Sequence, residues 1–305
     1  MKVIIPNRLE LLSCSMSEGD EVDGVLWDAS VTYARGTMVR HEHVRYESLA
    51  DANKGNNPAE TWSGISARWK RLGATAPYRM LDDLVETQTV SPESGPLTFG
   101  VPFNRATALA LLNVEGGTAG VTVTDDEDGE ELFADDISLT RDIGSLSLHA
   151  YNHELIDSRI NVAVTDIPMP IAGTLSVSID PGQGSTARLG HVVVGAARYL
   201  GATLYDAEVS MTDYSRKDVD DFGVATLVRR SFASTTSLPL YLHPDRMDFV
   251  ARVLQSIRAT PCVFIGDNRD DGHQSLTVYG WLDEWRMVCA GPNEIQLSLE
   301  IQGLI

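Results

Sequence analysis

Apolar positions in this chain come mostly in short runs set off by turn residues. Between residues 73 and 200, such runs occupy 97–103, 108–114, 121–123, 131–139, 145–148, 160–164, 174–179 and 191–194. Glu115-Gly116-Gly117, Asp128-Gly129 and Asp180-Pro181-Gly182 punctuate them. Runs this short, alternating or wholly apolar, read as strands, and eight of them between turns predict a jelly-roll β-sandwich. Asp128-Gly129 is the clearest hairpin signal, because both residues tolerate the positive φ of a tight turn.

The period changes once. Met247, Val250, Leu254 and Ile257 recur at helical spacing within 244–260, and Pro244 stands where a first-turn proline is tolerated. One helix is expected there. Strands are expected before it at 203–211 and 224–233, and after it, as a meander, at 262–265, 275–282, 285–290 and 294–302. At the start, Val3-Ile4-Ile5 predicts one strand and 9–12 a second. The expected fold class is mainly β. N-terminal strands fill 1–19, a small β domain 20–72, the jelly roll 73–200, and an α+β domain with the one helix 201–305.

Length alone, 305 residues, suggests about two domains, and the pattern raises the count to three because one is small. Acids outnumber bases 43 to 24, a net charge of −19, which argues against a nucleic-acid backbone as the main partner. Eight of those acids fall within 125–136, around the expected hairpin, so the charge is partly local. No apolar run approaches the roughly 18 residues of a membrane span. Pro6, Asn7, Arg8 and Glu10 interrupt the stretch before Leu11-Leu12-Ser13-Cys14, so a lipoprotein export signal is not expected either. The chain is expected to be made and kept in a cytoplasm until assembly. Cys14, Cys262 and Cys289 are too dispersed for a disulfide framework or a zinc site.

Residues 20–72 hold three of the five Trp. Trp27 is followed by Val31-Thr32-Tyr33, then Gly36, Val39 and Tyr46, then Asn53-Lys54-Gly55-Asn56-Asn57-Pro58, and finally Trp69. This order resembles the small carbohydrate-binding modules of family 5/12, over about a seventh of the chain. The resemblance implies that Trp27, Tyr33, Trp62 and Trp69 stack on the apolar faces of pyranose rings, as exposed aromatics do. An aromatic pair usual in that family is replaced by Glu47-Ser48-Leu49-Ala50. The residues alone allow another reading: a domain of about 50 residues needs large anchors, so Trp27, Tyr46 and Trp69 would be its core.

A second resemblance lies further on. Arg198-Tyr199-Leu200-Gly201-Ala202-Thr203, Ser210-Met211-Thr212-Asp213-Tyr214-Ser215, Asp221-Phe222-Gly223 and Leu227-Val228-Arg229-Arg230 are similar to a phrase in structural proteins of long non-contractile phage tails. The middle domain, through 109–114 and 121–123, resembles galactose-binding-like jelly rolls of virion proteins. Together these imply a tail-tip or baseplate component of a virion, made in the host cytoplasm. Implied partners are hub, tube or fibre proteins, further copies of the chain, and a cell-surface glycan for host attachment.

Motifs for catalysis are weak, and neither an enzyme nor a cofactor is expected. His149 and His153 stand four apart, but in a strand-and-turn context without the zincin order. His41-Glu42-His43 would put two rings on one strand face of a solvated hairpin. The acidic stretches 125–136 and 267–272 lack the spacing of an EF-hand. Gly182-Gln183-Gly184-Ser185-Thr186 has no Lys of a phosphate loop, and no Gly-x-Ser-x-Gly elbow occurs. A purely structural tail adaptor, or a glycan-degrading enzyme with an accessory module, are the alternatives.

Overall fold

A computed structural model of the chain describes residues 1–92, 95–140, 160–182, 186–219, 223, 225–230, 232–267, 269 and 273–304. The strand expected at 145–148 and the His149/His153 pair lie outside the described residues, as does the middle of the 182–186 turn.

The architecture is mainly β. Among the described residues, the largest sheet has eleven strands. Along one path run Asn161–Thr165, Ala108–Glu115, Arg188–Tyr199, Lys2–Pro6, Cys262–Ile265, Thr277–Gly291, Glu294–Gly303, Phe232–Leu242 and Ala202–Thr203. Glu208–Asp213 also pairs with Phe232–Leu242, and Thr89–Val90 with Arg188–Tyr199. A five-stranded sheet follows the order Glu131–Ser138, Thr118–Asp125, Gly173–Asp180, Leu97–Pro102, Ser13–Cys14.

The two sheets make the sandwich. In Gly173–Asp180, Leu175, Val177 and Ile179 are buried, while Ser176 and Ser178 are exposed. Those apolar side chains join Phe99, Val101 and Val121 in one core with Leu109, Leu111, Val192 and Val194 of the large sheet. Each such burial is worth about 1.5–3 kcal/mol, which is why strict alternation fixes the register. The Asp128-Gly129 hairpin forms as expected, with Gly129 at φ 73°.

The other end of the large sheet carries the helix. Pro244–Arg246 forms one 3-10 turn, and Met247–Ser256 continues as α-helix. Val250, Leu254 and Ile257 pack on Leu240, Phe264, Leu297 and Leu299. The helix stops short of 260 because Pro261 disfavours helical geometry at the preceding residue, and Ala259 already has φ 57°.

Lys2–Pro6 links the two halves. It pairs antiparallel with Arg188–Tyr199 on one side and with Cys262–Ile265 on the other. Val3 belongs to the core under the helix, and Ile4 faces the opposite way with Ala110, Val193 and Val263. The division expected at 200/201 therefore falls within a continuous sheet. The expected 1–19 segment contributes strands to both sheets. Residues 9–12 are not a strand; Leu9 and Leu11 lie against the sandwich core, and pairing resumes at Ser13–Cys14 with Gly100 and Phe99. The strands expected at 275–282 and 285–290 are one, because a register shift between Leu282 and Glu284 absorbs the break in alternation.

Candidate functional site

The 20–72 region forms its own small sheet, in the order Val25–Leu26, Met38–His41, Val44–Ser48, Trp69–Ala74. A two-stranded ladder of Thr32–Tyr33 with Asn53–Lys54 lies beside it. Tyr33, Val39, Tyr46 and Trp69 make its core. Asn57 caps the short Pro58–Thr61 helix by accepting the Ala59 N–H at 3.0 Å, which is what the Asn-rich turn supplies.

The four aromatic residues expected to stack on sugar are not brought together on one face. Trp69 is 0% exposed, and its indole N–H donates to the Asn56 carbonyl at 2.9 Å. Tyr33 is 4% exposed, and its hydroxyl accepts the Asp28 N–H at 2.7 Å. Both are occupied as core anchors, and neither offers a free ring face. Trp27 is half-buried, edge-on to His41 with centroids 5.0 Å apart. Trp62 alone of the four is exposed, at 42%, with the Arg71 guanidinium 5.7 Å from its ring centroid and the exposed Ile65 three residues on. The core reading therefore holds for Tyr46 and Trp69, and Tyr33 joins them. The missed signal was the Thr32–Tyr33 pairing with Asn53, a buried side chain that donates to Ser48 Oγ at 3.0 Å.

A cleft of about 440 Å³ opens beside this module, lined by Leu9, Leu11, His43, Arg71, Tyr78 and Asp82 among others. Its wall includes an unusual turn. Glu42 and His43 join Met38–His41 to Val44–Ser48 with φ values of 50° and 62°, a conformation normally left to Gly or Asn. Neighbours hold it in place. The His43 ring stacks on Tyr78 with centroids 3.8 Å apart, and its Nδ1 lies 2.8 Å from Glu18 Oε1. Thr75 Oγ1 donates to the same oxygen at 2.8 Å, and Arg40 Nε stands 3.4 Å from Glu18 Oε2. Burial would raise the Glu18 carboxyl, but its bonds to His43 and Thr75 and the Arg40 charge hold it below the ordinary carboxylate value. His41 and His43 do not share a face: one ring meets Trp27 and the other Tyr78. Among the described residues, no group of three or more His, Cys, Asp or Glu could hold a metal ion.

The acidic hairpin keeps its carboxylates near its own backbone. Asp125 Oδ1 accepts the Glu127 N–H at 2.8 Å, and Asp128 Oδ1 accepts the Glu130 N–H at 3.0 Å. These bonds are those of a turn, as the charged hairpin tip expected there requires.

A third surface was not anticipated as a site. Glu208–Asp213 lies along Phe232–Leu242, and all six of its residues are exposed. The chain then continues into a two-stranded ladder, Arg216–Val219 with Ala225–Val228. Met211 is 63% exposed and Leu227 75%, and Val209, Tyr214, Val228 and Phe232 are exposed as well. The alternating pattern was legible, but the face that Val209 and Met211 would bury has no cover among the described residues.

No helix of the described residues is long and apolar enough to cross a membrane. No family model matches the sequence, and no curated protein matches it.

Proposed function

We propose that the chain is a structural component of a phage tail, at the tip or baseplate, and that it acts by binding rather than by catalysis. The observation that carries the binding part is the exposure of Val209, Met211, Tyr214, Leu227, Val228 and Phe232. Exposed apolar side chains on paired strands, Val209 and Met211 beside Phe232, suit an interaction surface. The phage assignment rests on the resemblance of 198–230 and of the middle sandwich to tail and virion proteins. The partners are hub, tube or fibre proteins and other copies of the chain, and the protein resides in the virion after synthesis in the host cytoplasm.

The burial of Tyr33 and Trp69 favours the purely structural adaptor over a receptor-binding module. Host-glycan binding is then left to Trp62, beside Arg71 and the cleft. A single ring gives weak contact, made useful only by many copies on one particle. Labelling the chain in intact tails and locating it by electron microscopy tests the assignment. Absence from the particle overturns it, and release of reducing sugars from host polysaccharide by the purified chain would favour the enzyme instead. For the glycan part, unchanged adsorption of Trp62→Ala particles removes the receptor role.

A further inference from the structure

We infer that the loop of residues 61–68 is a membrane-contacting tip, which sets Trp62, Ile65 and the neighbouring Leu49 into the headgroup boundary of a bilayer carrying anionic lipid. The inference goes beyond the assembly reading and does not rest on it.

Local structure makes the loop protrude. The Pro58–Thr61 helix ends at Trp62, and the Arg68 N–H returns to the Thr61 carbonyl at 2.9 Å, so the base of the loop is closed. At its far end Gly64 takes φ 90°, a region that favours glycine, and the Ala67 N–H donates to the Gly64 carbonyl at 3.2 Å. This turn leaves Ile65 at the tip, 109% exposed. The Leu49 N–H donates to the Arg68 carbonyl at 2.9 Å, which places Leu49, also exposed, beside the same base. Ser63, Gly64 and Ser66 are too small to cover the apolar side chains between which they lie.

Charge then says what the tip faces. Residues 53–72 hold four Lys and Arg against one acid, in a chain of net charge −19. The one acid, Glu60, lies 3.5 Å from the Asn57 amide nitrogen, and Lys70 stands 4.0 Å from Glu47. Arg68 and Arg71 are exposed and make no ion pair among the described residues. The Arg71 guanidinium lies 5.7 Å from the Trp62 ring centroid, so cation and aromatic ring share one place. Tryptophan rings settle at the depth of lipid headgroups, and basic side chains behind them meet anionic phosphates. Carboxylates elsewhere on the molecule do not prevent this, because solution charges are screened beyond about 8 Å at physiological salt. A sugar would stack on Trp62 alone, whereas Ile65 and Leu49 have no flat face to offer it. A lipid surface takes all three.

The test is flotation of the full chain with phosphatidylcholine vesicles, with and without about one third phosphatidylglycerol. Wild type is expected to float with the anionic vesicles, less so at high salt, and weakly with phosphatidylcholine alone. Ile65→Ser should weaken binding at least about tenfold by removing buried aliphatic area. Arg68→Gln/Arg71→Gln should weaken binding to anionic vesicles on the order of thirtyfold, at about fivefold for each basic residue near the surface. Met211→Ser, an equally apolar change on another surface, should leave binding unchanged. All these positions are exposed, and thermal unfolding at the wild-type midpoint shows that the variants fold. Wild type that floats with neither vesicle, equal binding with and without anionic lipid, no loss in Ile65→Ser, or an equal loss in Met211→Ser would each overturn the inference. So would retention on immobilised host polysaccharide, lost in Trp62→Ala, by a chain that ignores vesicles, which assigns the tip to glycan instead. Vesicle binding is read on the purified chain and location in tails by microscopy, so either reading can fail while the other stands.

Discussion

Tyr33 and Trp69 meet edge to face, with ring centroids 5.5 Å apart and planes inclined at 67°. Such a pair adds about 0.5–1.5 kcal/mol beyond its burial, and here it sits in a small core of buried Tyr33, Val39, Tyr46 and Trp69. Trp69→Ala is therefore expected to cost about 3–5 kcal/mol and to unfold the small module. Trp62→Ala, at an exposed ring, should change stability by no more than about 0.5 kcal/mol. Thermal unfolding followed by tryptophan fluorescence separates the two. Equal losses in both variants would contradict the division between anchor and surface ring.

Acid should weaken the turn at Glu42-His43. Glu18 has a folded pKa below its ordinary value of 4.5, so its contribution is complete above that value. It is lost as pH falls through the lower, folded value. Glu18→Gln is expected to be less stable than wild type by about 1 kcal/mol at neutral pH, after allowance for partial solvent access. The gap should close in acid. Melting midpoints across pH check this, and a gap independent of pH would remove Glu18 from the account.

The three cysteines should differ in reactivity. Burial pushes the Cys262 thiol up to about 12, and it lies in a wholly buried strand. Burial also raises Cys14, whereas Cys289 is exposed. At about pH 8 only on the order of one Cys262 in ten thousand is thiolate. Alkylation of the folded chain followed by mass spectrometry should mark Cys289 first, Cys14 more slowly, and Cys262 only after denaturation. Early labelling of Cys262 would mean that this strand opens readily.

Gly195 is expected to tolerate no side chain. It stands opposite Pro6, and a Cβ there would run into the Ile5 carbonyl oxygen. Gly195→Ala should cost about 3 kcal/mol by forcing the two strands apart. Gly19→Ala meets nothing within 4 Å and serves as the control. Denaturant titration of both chains reads the difference, and near-identical midpoints would show that the Lys2–Pro6 pairing yields easily.

What the sequence made legible was local. Met247, Val250, Leu254 and Ile257 announced the helix, and Asp128-Gly129 announced the hairpin, because each signal is complete within a dozen residues. Strand partners were not legible. Nothing near Ile4 indicates Ala197 or Val263, which face it across two ladders. The fate of the aromatics depended on register in the same way. Arg45 pairs with Gly73 but Tyr46 with Arg71, so one extra residue, Leu72, bulges in the facing strand. A shift of one residue exchanges the buried and solvent faces. That is why spacing could not say whether Trp69 was an anchor or a platform.

Lys2–Pro6 also sets a timetable for synthesis. It is translated ahead of both of its neighbours, whose strands end at residues 199 and 265. At cellular rates of synthesis, Val3, Ile4 and Ile5 wait on the order of tens of seconds for the second of them. During that interval they are a nascent apolar segment with open edges, exposed to chaperones and to neighbouring ribosomes' products. A chain interrupted before Cys262 would leave the same strand without its second neighbour, so premature termination should produce aggregates rather than a trimmed, soluble sandwich.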